Sequence, residues 1–263
     1  MDADHLRHMA PDLSPAKAHS GKVGILGLLG QVPYPDACDL QTRCRTERAA
    51  ARIHDLLLLL EHPAVFTAGR MTRDEHAPGK QNRSRLVDIP LIRSDRGGSI
   101  TYHGPGQLIG YPILKLSDYC AGPKAYVRGL ETVLIRVLGA WNIDGHCRDG
   151  LPGVWIGGTR PMKIASIGVR IAHGITSHGF ALNVSVDLEP FSSIVPCGID
   201  DCRVTSMAQL LGSVPDPGII AEQVAMEFGK QFNISWMDRV GLDRLPPAGE
   251  PAHSYGCEES SHA

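Results

Sequence analysis

Apolar and polar positions alternate along this chain in blocks, and each block predicts an element. Val23 to Leu29 reads as a first strand, and Tyr34 to Arg52 as a polar helix carrying Arg43, Arg45, Arg48 and Arg52. Asp55 to Glu61, DLLLLLE, is apolar on both faces, which suits a strand covered on both sides. Val65 to Thr67 continues it, and a loop runs to about Ser84. Leu91 to Arg93 and Ser99 to Tyr102 read as strands, and Leu108 to Leu116 pairs near them. Between Lys124 and Trp141 the residues Val127, Leu130, Val133, Leu134, Val137 and Leu138 recur at three and four, a helix that Gly122 and Pro123 open. Short strands follow at Gly153 to Ile156, Met162 to Ile171 and Ile175 to Val186, separated by Gly157-Gly158 and His173-Gly174, a meander. Helices near Ser206 to Leu211 and Pro217 to Phe232 close the pattern. Helices and adjacent strands mix without regular alternation, so the expected fold class is α+β: a single domain with a mixed β-sheet and flanking helices.

The pattern fades at both ends. Residues 1–21 are rich in His, Ala, Pro and Ser, and 243–263 carry several Pro, Ser and Glu; both read as disordered tails around a catalytic unit over 22–242. No internal repeat is present. With 263 residues, 43% hydrophobic, the chain can bury one sizeable core. A net charge of -2 with no basic stripe argues against a nucleic-acid partner. The longest apolar run, Leu56 to Leu60, is far too short to span a membrane, and the N-terminus lacks a signal-peptide pattern. The seven cysteines are odd in number, scattered and without a C-x-x-C pair, which favours reduced thiols, a cytoplasmic location and no zinc framework.

Four clusters are candidates for chemistry. The stretch RGGSITYHGPGQLIGYPILKL, Arg96 to Leu116, loads a hairpin with glycine beside an arginine and a histidine. Glycine lets backbone approach a ligand, and Arg96 could hold a phosphate or neutralise a carboxylate; a tight turn with a solvated arginine is the plainer alternative. Lys163 lies in the otherwise apolar MKIASIGV, where it either snorkels from an edge or is desolvated with a lowered pKa. Strict alternation puts Lys163 with Ala165 on one face and Ile164 with Ser166 on the other. His178 in SHGFALN is either packed in the core or catalytic. Pro196-Cys197-Gly198-Ile199 fixes the backbone on both sides of one thiol, which is either buried and inert or presented to a pocket. If Lys163 and Cys197 meet, the ammonium would favour the thiolate, and the pair could take an acyl group from a thioester and pass it to an amine.

Taken in order, these motifs resemble the octanoyltransferases of lipoate biosynthesis, also called lipoyl(octanoyl) transferases or the lipoate-protein ligase B family. RGGSITYHGPGQLIGYPIL resembles the family signature, LLLLEHPAVFTAGR its early strand and loop, and KIASIGVRI its lysine strand; SHGFALNV and PCGI follow in the family's order, over roughly Tyr34 to Leu211. The resemblance implies the fold of the biotin/lipoate-protein ligase catalytic domain. It implies transfer of an octanoyl group from octanoyl-acyl carrier protein to a lysine of lipoyl domains in 2-oxoacid dehydrogenase complexes and the glycine cleavage H protein. Cys197 matches the acyl-thioester cysteine and Lys163 the lysine that lowers its pKa. The substrate-binding segments fall on Arg96, Gly97, Gly98, Ser99, Ile100, Thr101, Tyr102 and His103, on Ser166, Ile167 and Gly168, and on Gly179, Phe180 and Ala181. No cofactor or metal is implied.

Three other readings compete. An ATP-dependent lipoate or biotin ligase of the same fold would activate a free acid and need no cysteine. A non-catalytic acyl-binding protein would need neither Lys163 nor Cys197, and a cysteine hydrolase lacks a convincing Cys-His-Asn order. On the predicted first helix, Arg45, Arg48 and Arg52 share one face by spacing, which is either a solvated helix face, the plainer alternative, or a dock for an acidic carrier protein.

Overall fold

The computed structural model describes residues 21–73, 89–194 and 202–246. The N-terminal tail apart from Gly21, the loop toward Ser84 and the PCGI segment lie outside the described residues. The chain folds around one mixed sheet in the order β12-β1-β2-β6-β10-β9-β8-β7, with β11 added beside β9. Its strands are β1 (Lys22–Gln31), β2 (Asp55–Glu61), β6 (Gln107–Ile113), β7 (Gly145–Arg148), β8 (Leu151–Ile156), β9 (Met162–Ala172), β10 (Ile175–Asn183), β11 (Arg203–Val204) and β12 (Ile234–Val240). A second, small sheet joins β4 (Leu91–Arg93), β3 (Val65–Ala68) and β5 (Ile100–His103).

The apolar run of β2 is central, and both its faces are covered. Leu57 and Leu59 enter one core with helices α2 (Pro123–Gly139) and α4 (Pro217–Phe232). Leu56, Leu58 and Leu60 enter another with helix α1 (Tyr34–Ala49), through Ala37, Leu40 and Cys44. The apolar stripe on α2 is buried apart from the partly exposed Val127, with Leu130, Val133, Leu134 and Leu138 at 0% exposure. At roughly 1.5–3 kcal/mol for each large aliphatic side chain buried, this stripe is a principal anchor of the helical layer. Asp216 caps α4, its Oδ1 accepting from the Gly218 N–H at 2.7 Å and the Ile219 N–H at 3.4 Å, and Asn233 ends the helix at φ 52°. The short helix α3 (Met207–Leu211) lies between β11 and α4 in the chain.

Three expectations change. The sheet gains edge strands β7 and β12, whose short or half-exposed sequences carry weak periodicity. The chain past Leu242 is not all tail, since Leu245 is 5% exposed and packs with Val240 in the α1-side core. Helix α1 ends at Ala49, so Arg52 does not share a helical face with Arg45 and Arg48. Arg48 is paired with the buried Asp55 at 2.7 Å, Arg52 lies beyond the helix bonded to Glu47, and Arg45 is half-buried beside Asp95 and Arg170. Among the described residues no helix is long and apolar enough to cross a membrane.

Candidate active site

The turn between β4 and β5 is laid against β9. The Gly97 N–H donates to the Val169 carbonyl at 3.1 Å. A Cβ on Gly97 would stand 2.9 Å from that oxygen, and one on Gly168 would stand 2.8 Å from the Gly97 carbonyl. These glycines are therefore needed for backbone to meet backbone, and only Gly98, at φ 83°, is required by its own conformation. Between this turn and strands β6, β9 and β10 lies a small pocket that opens to solvent. Its wall is formed by Arg96 to Thr101 and His103 on one side, and by Ser166 to Gly168 and Gly179 to Ala181 on the other. Tyr102 is absent from the wall; its ring packs against Phe66 and Phe191 instead. Tyr111 and His178 join the wall, and neither is among the substrate residues that the motifs select.

Arg96 is 7% exposed and turns inward rather than toward an anion. Its Nε donates to Thr67 Oγ1 at 3.2 Å, Nη2 to the Thr67 carbonyl at 2.6 Å, and Nη1 to the Gly97 carbonyl at 3.1 Å, so it braces the glycine turn. His103 holds the hairpin to the main sheet. Its Nδ1 bonds Gln107 Oε1 at 2.7 Å, Gln107 Nε2 donates to Asn183 Oδ1 at 2.8 Å, and Asn183 Nδ2 donates to the Thr205 carbonyl at 2.9 Å. Behind it, His62 donates from Nδ1 to the Val32 carbonyl at 2.6 Å, and its Nε2 meets the Tyr111 hydroxyl at 2.7 Å. Burial pushes His62 down to about 4 and holds His103 well below the usual imidazole range, so both rings are neutral near pH 7. His178 is also lowered, chiefly by burial, against the opposing pull of Asp95.

The lysine strand departs from strict alternation. Trp155 pairs with Lys163 and Val154 with Ala165, so Ile164 is an extra residue, a β-bulge. Ile164 and Ala165 both enter the helical-side core with Val154. The bulge thus carries Lys163 to the face of Trp155 and Ser166, opposite the one expected for it. There Lys163 is 2% exposed, with its Nζ donating to the Pro152 carbonyl at 3.2 Å and standing 4.7 Å from the centre of the Trp155 ring. Cys197, Pro196, Gly198 and Ile199 lie outside the described residues. On either side of them, Ile194 is buried with Ile100 and Tyr102, and Arg203 and Val204 pair with Met162 and Lys163.

A mixed sheet with α2 and α4 on one face and the glycine-turn pocket on the other is a fold shared with solved lipoate-protein ligases. The bi-partite lipoate protein ligase of Thermoplasma acidophilum superposes with a TM-score of 0.62 at 15% identity, covering 83% of this chain and 88% of that one. A lipoate-protein ligase A bound with ATP gives 0.61 at 16% identity, over 83% and 89%. Residues 33–232 match the lipoyl protein ligase A/B catalytic domain model. An octanoyltransferase of Chloroflexus aurantiacus is 44% identical over 205 residues, 78% of this chain and 92% of that protein, and one of Xylella fastidiosa is 40% identical over 219 residues, 82% and 90%. The chain belongs to the lipoyl protein ligase A/B catalytic-domain family and, within it, to the octanoyltransferases, which are acyltransferases.

Proposed function

We propose that this protein takes an octanoyl group from octanoyl-acyl carrier protein and places it on a specific lysine of lipoyl domains, through a thioester on Cys197. The observation that carries this reading is the bulge that turns Lys163 onto the pocket face of β9, beside the strand in which the chain resumes six residues after Cys197. A free thiol titrates near ~8.5, and an ammonium about 4 Å away favours its thiolate by roughly 4 kcal/mol at intermediate dielectric. The Cys197 thiolate attacks the thioester carbonyl, a carbon–sulfur bond forms to Cys197, and the bond to the carrier's thiol breaks. Lys163 gives its proton to the departing thiolate. The acceptor lysine then attacks the Cys197 thioester, Lys163 takes up a proton from the incoming amine, and Cys197 leaves as the thiolate. Arg96 to His103, Ser166 to Gly168 and Gly179 to Ala181 line the path of the acyl chain, apart from Tyr102, which supports the wall from behind. The acceptors are the lipoyl domains of 2-oxoacid dehydrogenase complexes and the glycine cleavage H protein.

The reading is tested by mixing the protein with octanoyl-carrier protein and an isolated lipoyl domain, without ATP. Octanoylation of the domain lysine is expected. A strict requirement for free octanoate and ATP would instead identify an adenylate-forming ligase.

A further inference from the structure

The pocket ends in a polar wall. Ala181 pairs with Ser166, Gly179 with Gly168 and His178 with Val169, so the lined part of β9 and β10 runs three residues from Ser166 to the level of His178. At about 3.3 Å per residue that is roughly 10 Å. Carbon–carbon bonds of about 1.5 Å advance an extended chain by about 1.3 Å each, so the seven bonds of an eight-carbon chain span about 9 Å. Lys163 stands three residues before Ser166 on β9, at the opposite end from His178. An acyl chain with its carbonyl toward Lys163 therefore has its methyl end toward His178.

His178 is held there at some cost. It is a bulky residue at φ 52°, in the left-handed region, and is 5% exposed. Its N–H donates to Gln41 Oε1 at 2.6 Å, and its Nε2 meets Asp95 Oδ1 at 2.7 Å. Asp95 is paired in turn with Arg170, and the Arg45 guanidinium lies close by. None of these three lines the pocket; they stand behind the ring. With Nε2 donating to a carboxylate, Nδ1 carries the lone pair, and it is buried without a hydrogen-bond partner among the described residues.

We propose that His178, positioned by Asp95, is the end wall of the acyl pocket and sets the length of the chain that the enzyme accepts. The proposal rests on the acyl-transfer reading above. A chain of eight carbons fills the lined length. Each further methylene must press on the imidazole, cover a buried acceptor that it cannot satisfy and approach the Asp95–Arg170 pair. A shorter chain leaves apolar wall uncovered and loses roughly threefold to fourfold in binding per methylene.

The test is the ratio of kcat/KM for decanoyl over octanoyl donors in the wild type, His178→Gly and His178→Asn. Both replacements are shorter and tolerate positive φ, which guards against loss of the fold. The ratio is expected to rise at least tenfold in His178→Gly and by less in His178→Asn. An unchanged ratio in an active variant would overturn the end wall while leaving octanoyl transfer intact. A wild type that transfers no octanoyl group at all would overturn both.

Discussion

At the residue scale the site depends on polar groups held away from water. Lys163 is the sharpest case, since its charge is enclosed by a carbonyl and an indole ring rather than exposed on an edge strand. Lys163→Ala is expected to slow transfer by roughly 10²–10⁴-fold. It should also move alkylation of Cys197 to higher pH, and an unchanged alkylation profile with unchanged turnover would remove Lys163 from the mechanism. Lys163→Arg should fail as well, because a guanidinium does not release its proton near neutrality. His62 makes a prediction about stability. Its folded pKa of about 4 lies below the ordinary value of 6.5, so above that value the ring is neutral in both states and costs nothing. As pH falls from 6.5 toward 4, the unfolded chain binds a proton that the folded one refuses, and stability drops, by roughly 3 kcal/mol when complete. Urea unfolding at pH 7.5, 5.5 and 4.5 checks this. A flat profile over that range would contradict a neutral, buried His62.

At the element scale, what the sequence discloses depends on how local the cause is. The α2 stripe and the apolar β2 run are legible because one helix face and one doubly covered strand each repeat their own signature. The order of motifs likewise selects most of the pocket wall but misses Tyr111 and His178, and of the residues selected Tyr102 stands outside the wall, its ring packed on Phe66 and Phe191. The face of Lys163 was not legible, because period two has no mark for the extra residue Ile164; pairing with β8 creates it. Nor were Tyr111, His62 and Asp95, which reach the site only through long-range contacts with His178 and with one another. The bulge itself can be tested at Gly153, opposite Ser166 on β8. Its φ of 125° excludes side chains, and a Cβ there would collide with the Ala165 carbonyl and stand 3.4 Å from Lys163 Cε. Gly153→Ala is expected to cost about 1–3 kcal/mol and to lower turnover as well. Gly158→Ala, where a Cβ meets nothing within 4 Å among the described residues, should change neither, and equal effects at the two positions would argue against the bulge.

At the scale of the whole molecule, one sheet carries the pocket on one face and a helical layer on the other, and the two ends of the pocket differ in chemistry. His178, backed by Asp95, stands at one end, and Lys163 lies three residues before Ser166, beyond the other end of the lining, with uncharged wall between along β9 and β10. That polarity suits a substrate with a reactive head and an inert tail. Near α1, Arg48 is paired with the buried Asp55 and Arg52 with Glu47. Everything in the transfer scheme converges on one covalent state, an octanoyl group on Cys197. Its most direct test is the intact mass of the protein after mixing with octanoyl-carrier protein in the absence of an acceptor. An increase equal to one octanoyl group, released by hydroxylamine, kept in Cys202→Ala and lost in Cys197→Ala, is the expected result. A Cys197→Ala protein that still gains the group, or still octanoylates a lipoyl domain at the parent rate, would contradict the thioester route.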